Sequence, residues 1–177
     1  MKKFTLSRNR LFVLFIAIIL FSCSSNNNDI IEQNNDSNKI EFDGLTYQIS
    51  NGLIEKTGSN NEYSIALYPK GITIKDSNNN NVFNGGNWFL EVSDILTKND
   101  SISGKYKAGE DVSVYFINNA QFVNDEIQPG ESVYEVNKNG ILIINKSENE
   151  YEFIYEAFDP RDIPFSVYYK GPLTEIN

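Results

Sequence analysis

From about Glu41 onward, runs of six to eight residues rich in Tyr, Phe, Val and Ile alternate with short stretches of Asn, Gly, Asp and Pro. That texture predicts strands almost throughout. "YSIALY" (63–68) stops at Pro69 and "GITIKD" starts at Gly71; Pro at the second and Gly at the fourth position of "YPKG" suit a type I turn, which predicts a hairpin. "ESVYEVNKNGILIINK" (131–146) holds Asn139-Gly140 between two β-branched runs, the strongest short-range hairpin signal. "YEFIYEAF" (151–158) then returns as a third strand. Further strands are predicted in "LTYQIS" (45–50), "WFLEVSDI" (88–95), "VSVYFIN" (112–118) and "FSVYYKG" (165–171), and no helix after the N-terminal region.

Successive antiparallel strands close as a sandwich or a barrel. "VSVYFI" and "ILII" are apolar on both faces, as strands covered on both sides are. A calycin-like barrel calls for a longer alternation, which only "YEFIYEAF" displays. The expected fold is all-β, an antiparallel β-sandwich of about 8–10 strands, with a calycin-like β-barrel as the alternative. Residues 41–177 are enough for a single all-β domain.

The N-terminal pattern is different. Leu11 to Phe21 is an unbroken apolar run preceded by Lys2, Lys3, Arg8 and Arg10, with no acidic residue before Asp29. As a helix it would reach roughly 16 Å, about half of a bilayer's hydrocarbon core, so it is short for a membrane span. A basic segment followed by an apolar one of this length is the pattern of an export signal. Leu20, Phe21, Ser22 and Cys23 follow, and they resemble a bacterial lipobox. That resemblance implies that residues 1–22 are a lipoprotein signal peptide cut before Cys23. It also implies that the Cys23 thiol carries diacylglycerol and that the new amino terminus is acylated. Cys23 is the only cysteine, so no intramolecular disulfide competes for it. Several acyl chains hold a protein on a membrane stably, since each buried CH₂ contributes about 0.8 kcal/mol.

After Cys23, Ser, Asn and Asp dominate to Lys39. Such a stretch buries too little to offset its ordering entropy, so 23–40 is expected to be the lipidated cysteine and a flexible polar tether. With Asp29, Glu32 and Asp36, this tether resembles the stretch behind the cysteine of Bacteroidota surface lipoproteins. The mature chain, and its ending "VYYKGPLTEIN" (167–177) above all, resembles small exported lipoproteins of that group. There a Gly-containing strand, here Tyr168 to Leu173, closes an all-β domain. The resemblance implies a lipid anchor in the outer membrane, facing outward, and carries no activity.

Four basic residues precede Cys23 and no acidic ones, so the mature charge is 11 − 24 = −13. That argues against nucleic acid as a partner and against an electrostatic grip on anionic lipid. The chain contains no histidine, which removes Ser-His-Asp chemistry, an imidazole base and ordinary catalytic zinc sites. "DSNNNN" (76–81) lacks the Gly of a calcium loop at its sixth position and has Asn87 at its twelfth, so it reads as a turn. No metal or cofactor is expected.

Carboxylates remain for glycoside hydrolysis. Glu152 and Glu156 share a strand face with Ile154 between them, and same-face neighbours lie about 7 Å apart, too far for a retaining pair. A solvated face is the plainer reading. Arg161, in "DPRDIP" between Asp159 and Asp162, is expected to make a local ion pair that stiffens a turn, worth under about 1 kcal/mol if exposed. Asp100-Ser101-Ile102 resembles the O-glycosylation acceptor of Bacteroidota, which implies modification of Ser101.

The aromatics Trp88, Tyr115, Tyr151, Phe153, Tyr155, Tyr168 and Tyr169 could supply contact surface. Tyr151, Phe153 and Tyr155 share one face and are expected in the core. Tyr168 and Tyr169 must point to opposite faces. The expected function is a non-catalytic binding or scaffold module that takes a glycan, a peptide or another surface protein. The alternatives are a carboxylate-dependent surface glycoside hydrolase and a lipocalin-like small-ligand binder.

Overall fold

The computed structural model describes residues 38–57, 61–77, 80–97 and 101–176. Cys23, the signal segment and the tether up to residue 37 lie outside the described residues. The strands are β1 (Lys39–Phe42), β2 (Leu45–Gln48), β3 (Asn51–Lys56), β4 (Glu62–Tyr68), β5 (Ile72–Ser77), β6 (Asn80–Leu96) and β7 (Gly104–Lys107). They continue as β8 (Ser113–Val123), β9 (Glu126–Ile127), β10 (Ser132–Glu135), β11 (Lys138–Ser147), β12 (Glu150–Phe158), β13 (Pro164–Gly171) and β14 (Thr174–Ile176). No helix occurs among the described residues.

These strands form two sheets, ordered β2-β1-β13-β12-β11-β7 and β10-β8-β6-β4-β3-β14, with β5 added to β6 and β9 to β8. Pairing is antiparallel except between β14 and β3. The sheets are separate and packed face to face, so the chain is a β-sandwich and the calycin-like barrel is not formed. The strand segments outnumber the eight to ten expected because short edge pieces such as β9 and β14 carry too few residues to show a period. Between the sheets Phe42 and Phe165 of the first meet Phe116 of the second, with all three ring centroids 5.5–5.6 Å from one another. Trp88, Leu90, Val92, Leu142 and Ile144 extend this core.

Two predicted hairpins are corrected. The turn after β4 exists, closed by Ile72 N donating to Pro69 O at 3.2 Å, but β4 and β5 do not pair with each other. Both pair with β6, β4 along its C-terminal half and β5 along its N-terminal half, so the turn is a jog along one edge of a single long strand. The true hairpin joins β5 to β6, with Asp76 opposite Asn81 and Ser77 opposite Asn80; residues 78 and 79, in the middle of the stretch compared with a calcium loop, lie outside the described residues.

Asn139-Gly140 is not a hairpin turn either. β10 pairs with β8 in the second sheet, whereas β11 pairs with β7 and β12 in the first, so the chain changes sheets between them. A type I′ turn needs positive φ at both central residues. Here Asn139 has φ +54° and Gly140 is not in that region. The pair instead forms an irregularity in β11 between Lys138 and Ile141. The crossing is tied down by Val114 N donating to Asn137 Oδ1 at 2.8 Å and by the Tyr155 hydroxyl donating to Val136 O.

A second apolar layer lies on the outer face of the second sheet, built from Leu53, Ala66, Tyr68, Ile72, Phe89, Ile117, Ala120 and Phe122. Phe83 and Phe89, both on β6, have centroids only 5.4 Å apart. Six residues of straight strand would separate their Cα atoms by about 20 Å, so β6 bends sharply between them. Between them Gly85 has φ +102°, where a Cβ would overlap the Gly71 carbonyl oxygen, and the pairing with β8 shifts register between Asn87 and Trp88. "VSVYFI" reads as apolar on both faces because the second sheet folds over its own outer surface onto Ile117, whereas Ile141 and Ile143 of "ILII" stay half-buried on the outer face of the first sheet.

Candidate functional site

A cavity of about 240 Å³ lies between the sheets. The second sheet lines it with Ile54 and Lys56 of β3, Tyr63 of β4, Thr97 at the end of β6, and Glu175 and Ile176 of β14; the first lines it with Lys146 of β11 and Tyr151 of β12, together with Ser101 and Ile102 ahead of β7. Alternation places these groups: Tyr151 points inward from β12 because it shares a face with Phe153 and Tyr155, all three buried. Gly52 of β3 is crowded by Leu173 and Leu67, which lets the segment after β13 close down so that β14 can join the sheet.

Charge is concentrated at the rim. The Lys146 ammonium lies 3.7 Å from Glu175 Oε1 and 4.9 Å from the centre of the Tyr151 ring. Hydrogen bonding to Tyr151 first, with Glu175 adding to it, holds Lys146 above the ordinary lysine range despite partial burial. Lys146 therefore stays protonated and is unsuited to activate Ser101 as a base. Lys56 is exposed and has no ion-pair partner among the described residues. Thr97 Oγ1 is buried without a hydrogen-bond partner among the described residues. The arrangement offers two cations, one carboxylate, an open hydroxyl and aromatic wall, which is equipment for binding.

The predicted candidates are scattered. Ser101 is exposed and its hydroxyl accepts from Ser103 N at 3.2 Å; Asp100 lies outside the described residues. Glu152 and Glu156 lie on the outer face of the first sheet, where Glu152 Oε2 accepts from Asn145 Nδ2 at 3.0 Å, and neither lines the cavity. Trp88 is buried between the sheets. Tyr169 faces inward and its hydroxyl donates to Pro172 O at 2.5 Å, with burial raising the phenol to about 12. Tyr168 and Tyr115 remain half-exposed on outer faces. Burial, then Asp94, raises Glu91, which sits between Ala66 and Tyr115 away from the cavity lining. Among the described residues no three acidic, His or Cys side chains gather as metal ligands.

Sequence reasoning missed Lys56, Tyr63, Thr97, Lys146 and Glu175. They come from five separate elements and form no local motif, so no signal along the chain groups them. Arg161 makes the expected local ion pair. It pairs with Asp159 alone, Nη2 and Nε both 2.7 Å from Oδ2, while Asp162 pairs with Lys138 at 2.6 Å. Asp159 is 0 % exposed, occluded by its own turn.

The described chain is thus a two-sheet β-sandwich with a polar, cation-rimmed cavity between its sheets. Comparison of the chain with known protein families, curated proteins and solved structures finds no match.

Proposed function

We propose that this protein is an exported lipoprotein, anchored by lipid on Cys23 in the outer membrane and facing outward, whose β-sandwich serves as a non-catalytic binding module. The observation that carries the reading is the cavity, which joins cations, hydroxyls and aromatic wall and in which Lys146 is kept charged and so is unsuited to act as a base. Trp88, Phe116 and Phe165 fill the space between the sheets, so a ligand is received at this cavity and not in an enclosed barrel lumen. The ligand classes expected of a surface module are a glycan, a peptide or another protein.

Two measurements test this. Incorporation of labelled fatty acid should be complete in the native chain and absent from Cys23→Ala; continued labelling removes the lipoprotein reading. Full-length protein in detergent should show no hydrolysis of common glycans or peptides, yet melt at a higher temperature with a ligand of one of these classes. Turnover abolished by Glu152→Gln or Glu156→Gln would establish the hydrolase instead. A glycan on Ser101 would stand at the cavity's edge, so the protein for ligand tests is best made in a host that does not add one. Intact mass of protein from its own host decides that modification: the mass of the lipidated polypeptide alone excludes it.

A further inference from the structure

We infer that the cavity between the sheets takes one acidic sugar residue, a ring that carries both hydroxyls and a carboxylate. The inference rests on the binding reading above and names its ligand class. Three features point to it. The first is local charge: the mature chain is strongly acidic, yet among the described residues Lys56 and Lys146 stand at this cavity against Glu175 alone. Among the described residues Glu175 forms an ion pair with Lys146 alone, at 3.7 Å, and its side chain is 68 % exposed, so Lys56 is left to meet an anion from outside. A protein of this net charge repels anions in general, and a cationic spot in it is selective for one that reaches both ammonium groups.

The second feature is polarity at depth. Thr97 Oγ1 is buried and unpartnered among the described residues, a costly state unless a ligand or water completes it. A sugar hydroxyl can both donate and accept, so it satisfies Thr97 whichever way that hydroxyl turns. Ser101 and Glu175 provide further partners for ring hydroxyls.

The third feature is size and wall chemistry. About 240 Å³ is below the roughly 300–1,000 Å³ of pockets that enclose a drug-sized ligand, which suits a single ring of a longer chain. Tyr63, Ile54, Ile102 and Ile176 provide apolar wall for the C–H face of that ring. A fatty acid would satisfy the cations but strand Thr97 and Ser101; a neutral sugar would leave Lys56 unmet.

The test is calorimetric titration of the full-length protein in detergent with trigalacturonate, and with trigalactose as its uncharged counterpart. The expected result is saturable binding of trigalacturonate at least tenfold tighter than of trigalactose. Lys56→Gln should weaken it about tenfold, Lys146→Gln at least as much, and Lys105→Gln, on the exposed edge strand β7, should leave it unchanged. Because Lys146 also contacts Tyr151, its variant is read beside Lys56→Gln, whose side chain is exposed. Equal affinity for the two trimers, or undiminished trigalacturonate binding by Lys56→Gln, overturns the inference. Binding of neutral glycans or peptides with none of trigalacturonate overturns it and leaves the wider binding reading standing, whereas silence toward all of them overturns both.

Discussion

Asp159 shows how one buried charge is accommodated. Its Oδ1 accepts from the backbone N–H of Arg161 and of Ile163, both at 2.9 Å, and its Oδ2 accepts from the Arg161 guanidinium. Burial alone would raise its pKa, but the hydrogen bond from Ile163, and then those from Arg161 with its charge, outweigh burial and lower it. A carboxylate held below its unfolded value contributes stability that is full above about pH 4 and is lost as pH falls through the folded value. Thermal melts should therefore show stability falling below pH 4 in the native protein, and the fall should be shallower in Asp159→Asn. Asp159→Ala should cost about 2–3 kcal/mol at pH 7, because two backbone donors and Arg161 lose a charged acceptor together. A loss within the range of exposed ion pairs, under about 1 kcal/mol, would mean that the turn is held by something else.

Among the elements, β11 carries the sharpest test, because its Asn139-Gly140 pair can be read as a turn or as an irregularity. A Cβ on Gly140 would lie 2.5 Å from Tyr155 Oη and 2.7 Å from Ala108 Cβ. Gly140→Ala must therefore push against the hydroxyl that holds Val136 at the change of sheet, and a loss of about 1–3 kcal/mol in denaturant unfolding is expected, the usual cost of overpacking. In an exposed hairpin turn the same change would meet no side chain from β12, so a neutral result would restore the hairpin. Local sequence could indicate that the chain departs from regular strand here. It could not say toward which sheet each strand goes, since that depends on β8, the partner of β10, and β7, the partner of β11, both separated from them in sequence by other strands.

For the whole molecule, two apolar layers share the second sheet, one between the sheets and one on its outer side. The outer layer depends on the bend in β6, where Phe83 returns onto Phe89 and Phe122, with centroids 5.4 and 5.6 Å away. Phe83→Ala should accordingly speed hydrogen exchange in β5 and the first half of β6 while β12 and β13 keep their protection. Mass-spectrometric exchange decides it: equal acceleration in both sheets would show that the layers open as one unit.

What the sequence determined by itself is the class of fold, because strand formation follows from a local period and from turn residues that each act over a few positions. It determined the inward face of "YEFIYEAF" for the same reason: alternation alone sends Tyr151, Phe153 and Tyr155 to one side, and they are buried. It also required Tyr168 and Tyr169 to diverge, without saying which faces the core. Tertiary structure decided the rest. It made Tyr169 the buried partner, turned two expected hairpins into a jog and a change of sheet, and gathered Lys56, Tyr63, Thr97, Lys146 and Glu175 around one cavity. The physical reason is common to these outcomes: backbone hydrogen bonds between strands are indifferent to side-chain identity, so the choice of partner strand is made by how whole faces pack, a property no short window contains.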